Sequence, residues 1–143
     1  IHERQVEIVE NYEELPKLTL DPKLTRIIFQ NLISNAIKYT PGKGKVTVVI
    51  RRDNDDILIA VSDTGYGIPK EQQEKIFSKL FRADNVKAMD TEGSGLGLYI
   101  VKSIVEESKG RIWFTSEENK GTTFYVVLPL SGMKEKPGSK PLE

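Results

Sequence analysis

Three short segments constrain this chain more than anything else in it: Asn31 to Tyr39 (NLISNAIKY), Asp63 to Ile68 (DTGYGI) and Gly93 to Leu98 (GSGLGL). They set an amide-rich stretch ahead of two glycine-rich loops. The first stretch follows Asp21-Pro22, where Asp suits a helix N-cap and Pro the first helical position. Leu24, Ile27, Ile28, Leu32, Ala36 and Ile37 then recur at helical spacing, which predicts one helix over residues 22–40. Asn31, Asn35 and Lys38 stand at i, i+4 and i+7, so two amides and an ammonium share a narrow arc of that helix. An amide oxygen is a hard, neutral ligand suited to Mg²⁺, which keeps most of its waters, and a lysine is a natural partner for phosphate. Asn35 is therefore the candidate metal ligand and Lys38 a candidate phosphate contact.

Ile57-Leu58-Ile59-Ala60-Val61 is an apolar run after the turn signal Asp53-Asn54-Asp55-Asp56, so it reads as a buried strand that ends at Asp63. A carboxylate accepts hydrogen bonds and cannot donate them. It suits the exocyclic amine of adenine and faces the wrong group, a carbonyl oxygen, in guanine. Gly65 and Gly67 would let the backbone approach a purine ring and adopt positive φ. The third segment opens directly into Leu98-Tyr99-Ile100-Val101, whose continuation has a helical apolar period. Its glycines would wrap phosphate oxygens at a helix N-terminus, where unpaired N–H groups favour anions. The spacing is not that of a P-loop, since Gly-x-x-x-x-Gly-Lys-Ser/Thr is absent. Nor is it a dinucleotide fingerprint, because no strand leads straight into it.

These segments together resemble the catalytic, ATP-binding domain of bacterial sensor histidine kinases, within the superfamily that includes gyrase. The resemblance runs from about Gln5 to Leu130. The family's N box matches Asn31, Asn35, Lys38 and Tyr39, its first glycine box Asp63, Gly65, Gly67 and Ile68, and its second Gly93, Ser94, Gly95, Leu96, Gly97 and Leu98. Phe77 to Asp84 (FSKLFRAD) resembles the F box, with Leu80 where an aromatic is more usual. Gly121-Thr122-Thr123-Phe124 is similar to the last glycine motif, in which Thr122 or Thr123 would reach the adenine side. The resemblance implies Asn31, Lys38 and Arg82 as catalytic residues, Arg82 neutralising terminal phosphate charge. ATPase members carry a glutamate base where this chain has Asn31, and an amide takes no proton at neutral pH, so transfer is expected over hydrolysis. The polar, aperiodic stretch from Ala83 to Glu92 is expected to be a lid over ATP.

The expected fold is α+β: a two-layer sandwich with a mixed, mostly antiparallel sheet and three helices, at about 22–40, 70–79 and 96–108, on one face. Strands are expected to begin near Val6, at Lys17 to Leu20 and across Val46 to Arg51, and a hairpin to join Arg111–Ser116 to Thr122–Leu128. Trp113 is expected to pack in the core or on the sheet surface. Residues 1–131 read as one domain and 132–143 as a disordered tail. With 21 basic and 21 acidic side chains the chain has no global pull toward nucleic acid, and without cysteine it can form neither disulfides nor thiolate metal sites. No apolar run of membrane-spanning length appears, so this piece is expected to be cytoplasmic and monomeric, without membrane contact of its own. The resemblance implies ATP and Mg²⁺ as cofactors, a separate dimerisation domain bearing the phosphoacceptor histidine, and indirectly a response regulator. It also allows a membrane anchor elsewhere in the full-length protein. His2, the sole histidine, lacks the context of that family's phosphoacceptor box. Two alternatives share the glycine boxes: a stand-alone serine kinase of the anti-sigma type, and a nucleotide-binding regulatory module without catalysis.

Overall fold

A computed structural model describes residues 6–15, 20–79 and 97–131. Strand β1 (Glu7–Tyr12) leads to helix α1 (Pro22–Lys38), then to β2 (Lys45–Asp53) and β3 (Asp56–Asp63). A 3-10 helix (Lys70–Lys75), helix α2 (Gly97–Glu107), β4 (Arg111–Glu117) and β5 (Gly121–Pro129) complete the order. The sheet runs β1-β2-β3-β5-β4, parallel between β1 and β2 and antiparallel elsewhere. The expected α+β, mixed and mostly antiparallel sheet is the observed one.

Local chemistry explains the boundaries. Asp21 Oδ1 accepts from the N–H groups of Lys23 at 2.9 Å and Leu24 at 3.1 Å, while Pro22 occupies the first helical position. The β2–β3 hairpin closes on Asn54 at φ 56°, a conformation asparagine tolerates better than most residues. The segment after Pro69 is not the α-helix to residue 79 that the sequence led us to expect. It closes with i→i+3 bonds, Gln72 N to Pro69 O and Ser78 N to Lys75 O, and its amide side chain Gln73 is drawn away to Ile68 O and Ser116 O. The described residues thus hold two α-helices and one short 3-10 helix on the sheet. Of the strand expected at Lys17–Leu20, residues 17–19 lie outside the described residues, and Leu20 packs on the core without joining a strand.

Ile28, Leu32 and Ala36 of α1 and Val101, Ile104 and Val105 of α2 meet Val46, Val48, Ile57, Ile59, Val61, Phe124, Val126 and Leu128 of the sheet. Phe77 closes one end of this core by edge-on contacts with Phe114 and Phe124, ring centroids 5.9 and 6.3 Å away. Trp113 lies on the opposite sheet face, stacked on Tyr125 at 5.2 Å with the Arg111 guanidinium over it. Because Leu32 is 1% exposed at the centre of α1, Leu32→Ala is expected to lower unfolding free energy by about 2–5 kcal/mol, read by urea denaturation. None of the helices among the described residues is long and apolar enough to cross a membrane.

Candidate nucleotide site

The helix that carries Asn31, Asn35 and Lys38 packs on β2, β3 and α2 and leaves these three side chains half-buried. Asn31 spends one amide N–H on Ile27 O at 2.8 Å within its own helix. Its Oδ1 faces the start of α2: a Cβ built on Gly97 would stand 2.7 Å from it. A side chain at Gly97 would have to push the Asn31 amide aside. The amide face of α1 and the N-terminus of α2, 66 residues apart in sequence (97 − 31), are therefore neighbours.

Asp63 ends β3 between Val46 of β2 and Thr122 of β5. Its Oδ1 accepts from Gly65 N at 2.8 Å and Thr122 N at 3.2 Å. Among the described residues Oδ2 accepts no hydrogen bond. Burial pushes the carboxyl up to about 6, and the two N–H groups pull against that rise. A carboxylate held this way, with one oxygen satisfied by the backbone and the other open, is set to accept from a ligand that donates.

The loop after β3 is fixed by the protein's own backbone. A Cβ on Gly65 would stand 2.2 Å from Tyr39 O, and one on Gly67 (φ +70°) 2.1 Å from Glu117 O. Tyr66 N donates to Tyr39 O at 3.1 Å, and Asn119 N donates to Tyr66 O at 2.5 Å. The sequence assigned these glycines to close approach of a purine. Gly67 takes the positive φ expected of it, and at both glycines the end of α1 and the β4–β5 turn occupy the space a side chain would need. Ile68, also placed in the site from sequence, packs on the core and donates its N–H to Ser116 Oγ at 2.8 Å.

The sequence left Thr122 and Thr123 undivided. Thr122 lies opposite Asp63, buried on the face that carries the helices, with Oγ1 at 2.8 Å from Ser116 Oγ. Thr123 faces the other side of the sheet, where its Oγ1 meets Ser62 Oγ at 2.8 Å, and this corrects its assignment to the ligand side. Tyr39 caps α1, and its carbonyl takes the Tyr66 N–H. Lys38 sits in the last turn of α1, and Leu98 in the first turn of α2. Arg82, Gly93, Ser94, Gly95, Leu96, the lid expected at Ala83–Glu92, His2 and the tail 132–143 lie outside the described residues. Ser116 and Gln73 were missed from sequence. Both act across more than 40 residues, Ile68 to Ser116 and Gln73 to Ser116, and a lone serine near a strand end carries no signal of that.

Among the described residues no group of three or more His, Cys, Asp or Glu side chains gathers to hold a metal. Asn35 is half-buried and its side chain makes no hydrogen bond among the described residues, so its amide oxygen is available to Mg²⁺. Residues 20–132 match the family described as histidine kinase-, DNA gyrase B-, and HSP90-like ATPase. The chain is 41% identical over 118 residues to the adaptive-response sensory kinase SasA of Synechococcus elongatus, covering 82% of this chain and 30% of that protein. It is 38% identical over 140 residues to the sensor histidine kinase WalK of Bacillus subtilis, covering 93% of this chain and 22% of that one. The chain thus spans less than a third of these relatives. The fold superposes on the mycobacterial sensor histidine kinase MprB with a TM-score of 0.77 at 27% identity, over 87% of this chain and 84% of that one. With the family matched across most of its length and through the segments just described, the chain belongs to the histidine kinase-, DNA gyrase B-, and HSP90-like ATPases.

Proposed function

We propose that this chain is the catalytic unit of a sensor histidine kinase: it binds ATP–Mg²⁺ and donates the terminal phosphoryl group to a histidine on a separate dimerisation domain, for onward transfer to a response regulator. The observation that carries this reading is Asp63, a carboxylate at the end of β3 with one oxygen bound to backbone and the other without a hydrogen bond among the described residues. Asp63 accepts from the exocyclic amine of adenine, with Thr122 beside it. The glycine segment 93–97 and the N-terminus of α2 receive the phosphates, and Lys38 adds a positive charge. Bound through Asn35, Mg²⁺ would supply charge neutralisation on the phosphate oxygens. Arg82 is proposed for the same charge from the F box. Asn31 uses an N–H on its own helix and has no basic lone pair to take a proton from water, which leaves phosphoryl transfer to a partner as the productive outcome.

The sensor-kinase relatives favour this reading over an anti-sigma serine kinase or a regulatory module without catalysis. A kinase that draws on cellular ATP works in the cytoplasm. Incubating the chain with γ-labelled ATP, Mg²⁺ and a histidine-bearing dimerisation domain encoded by the same gene is expected to label that histidine. Label on a serine, or none while ATP is bound, would refute the transfer.

The raised Asp63 carboxyl gives the site a pH signature. The free site protonates as pH falls through about 6, and the protonated form is the poorer acceptor. Affinity for ATP through this group is expected to be about tenfold weaker one unit below that value, and level above pH ~7. Calorimetry across pH, with Asp63→Asn as the reference that lacks this inflection, separates it from titration of the phosphates.

A further inference from the structure

We propose that Ser116 is a specificity-determining residue that fixes the Thr122 hydroxyl as a hydrogen-bond acceptor and so sharpens discrimination for adenine over bases carrying a carbonyl at that position. This rests on the assignment of Asp63 to adenine above.

Ser116 stands opposite Thr122 on the helix-facing side of β4. Its Oγ takes part in three hydrogen bonds: it accepts from Ile68 N at 2.8 Å, lies 2.8 Å from Thr122 Oγ1, and donates to Gly121 O at 3.2 Å. A serine hydroxyl has one proton and two lone pairs. With its proton on Gly121 O, all three bonds hold at once only if Thr122 donates to Ser116. The Thr122 hydroxyl then has its proton spent, and only lone pairs remain to it. Directly across the β3–β5 pairing stands Asp63, whose open Oδ2 is also an acceptor. The wall at this point therefore presents acceptors alone.

An exocyclic amine meets such a wall with N–H groups, directly or through a water. The carbonyl of inosine or guanine meets it with lone pairs, and neither protein group can turn to donate. Removing the Ser116 hydroxyl releases the Thr122 proton, which can rotate toward a carbonyl and relieve part of that mismatch. Ser116 is thus a positioning residue, acting through Thr122. Its supports are also in place: Gln73 Nε2 bridges Ile68 O at 3.0 Å and Ser116 O at 3.2 Å, holding the loop against β4 independently of the serine side chain.

The test is calorimetric titration of the full chain with ATP and ITP, each with Mg²⁺. Wild type is expected to prefer ATP strongly. Ser116→Ala is expected to cut the ATP/ITP affinity ratio about tenfold, chiefly by tighter ITP binding. Ser116→Thr restores the ratio, and in a Thr122→Val background Ser116→Ala leaves it unchanged. Ser116→Cys, a weak donor and acceptor of similar shape, gives the same reading should the alanine variant fold poorly. Equal loss of both affinities in Ser116→Ala would show mere structural support and overturn the proposal, as would an unaltered ratio. Wild type that binds ATP and ITP equally would overturn the adenine assignment itself, and the proposal with it.

Discussion

Asp63→Asn is expected to weaken ATP binding by an order of magnitude or more while leaving the fold intact or more stable. The amide oxygen of asparagine can still accept from Gly65 N and Thr122 N, so the local backbone keeps its partners. The other end of the amide now donates. It meets the adenine amine as donor against donor, and an unmade hydrogen bond in a buried site costs about 1–3 kcal/mol. Stability moves the opposite way. The folded carboxyl titrates at about 6 against 3.8 for the free group, so the folded state holds that proton more tightly. Wild-type stability from this group is therefore greatest below the lower value and lost as pH rises through the higher one. At neutral pH the ionised, partly buried carboxylate costs on the order of 2–3 kcal/mol, which the neutral amide avoids. Urea denaturation at pH ~7.5 beside nucleotide titration would reveal the trade: a variant that loses both stability and ATP would show that Asp63 is structural.

Gly121→Ala is expected to be among the most damaging single changes in the chain. Gly121 has φ +128°, a conformation L side chains rarely adopt, and a Cβ there would stand 2.0 Å from Asp63 O. The clash falls on backbone, which has no flexible end to swing aside. Relief requires opening the β3–β5 pairing beside Asp63 and Thr122, so several kcal/mol of stability and the acceptor geometry are lost together. Gly42 is the milder comparison: its φ of +50° lies in the left-handed region that L residues can enter and nothing lies within 4 Å of the added carbon, so Gly42→Ala is expected to cost about 1 kcal/mol with ATP binding unchanged. Similar losses at both positions would mean that neither the φ of +128° nor the approach of Asp63 adds to the requirement at Gly121.

Local signals carried much of this molecule in its sequence. Asp21-Pro22 and the Ile28-Leu32-Ala36 stripe delimited α1, and the Asp53–Asp56 turn fixed the β2–β3 hairpin that brings Asp63 to the strand end. The residues that needed the tertiary structure are those whose role is set by a distant backbone. Gly65 and Gly67 are glycines because Tyr39 and Glu117 pass against them, a fact no spacing rule contains. Thr122 and Thr123 differ only in which face the β3–β5 register gives them. Phe77 is a core aromatic against Phe114 and Phe124, partners that its own stretch of sequence does not name. The segment at Lys70–Lys75 had helical composition, yet Gln73 is held by Ile68 and Ser116 and the turn tightens to 3-10 form.

The most direct test is calorimetric titration of the chain with ATP and with GTP, each with and without Mg²⁺. An adenine-selective site that holds Mg²⁺ through Asn35 and engages phosphate through Lys38 and the α2 N-terminus predicts Mg²⁺-dependent binding of ATP and little of GTP. Equal binding of the two nucleotides, or none, would contradict it.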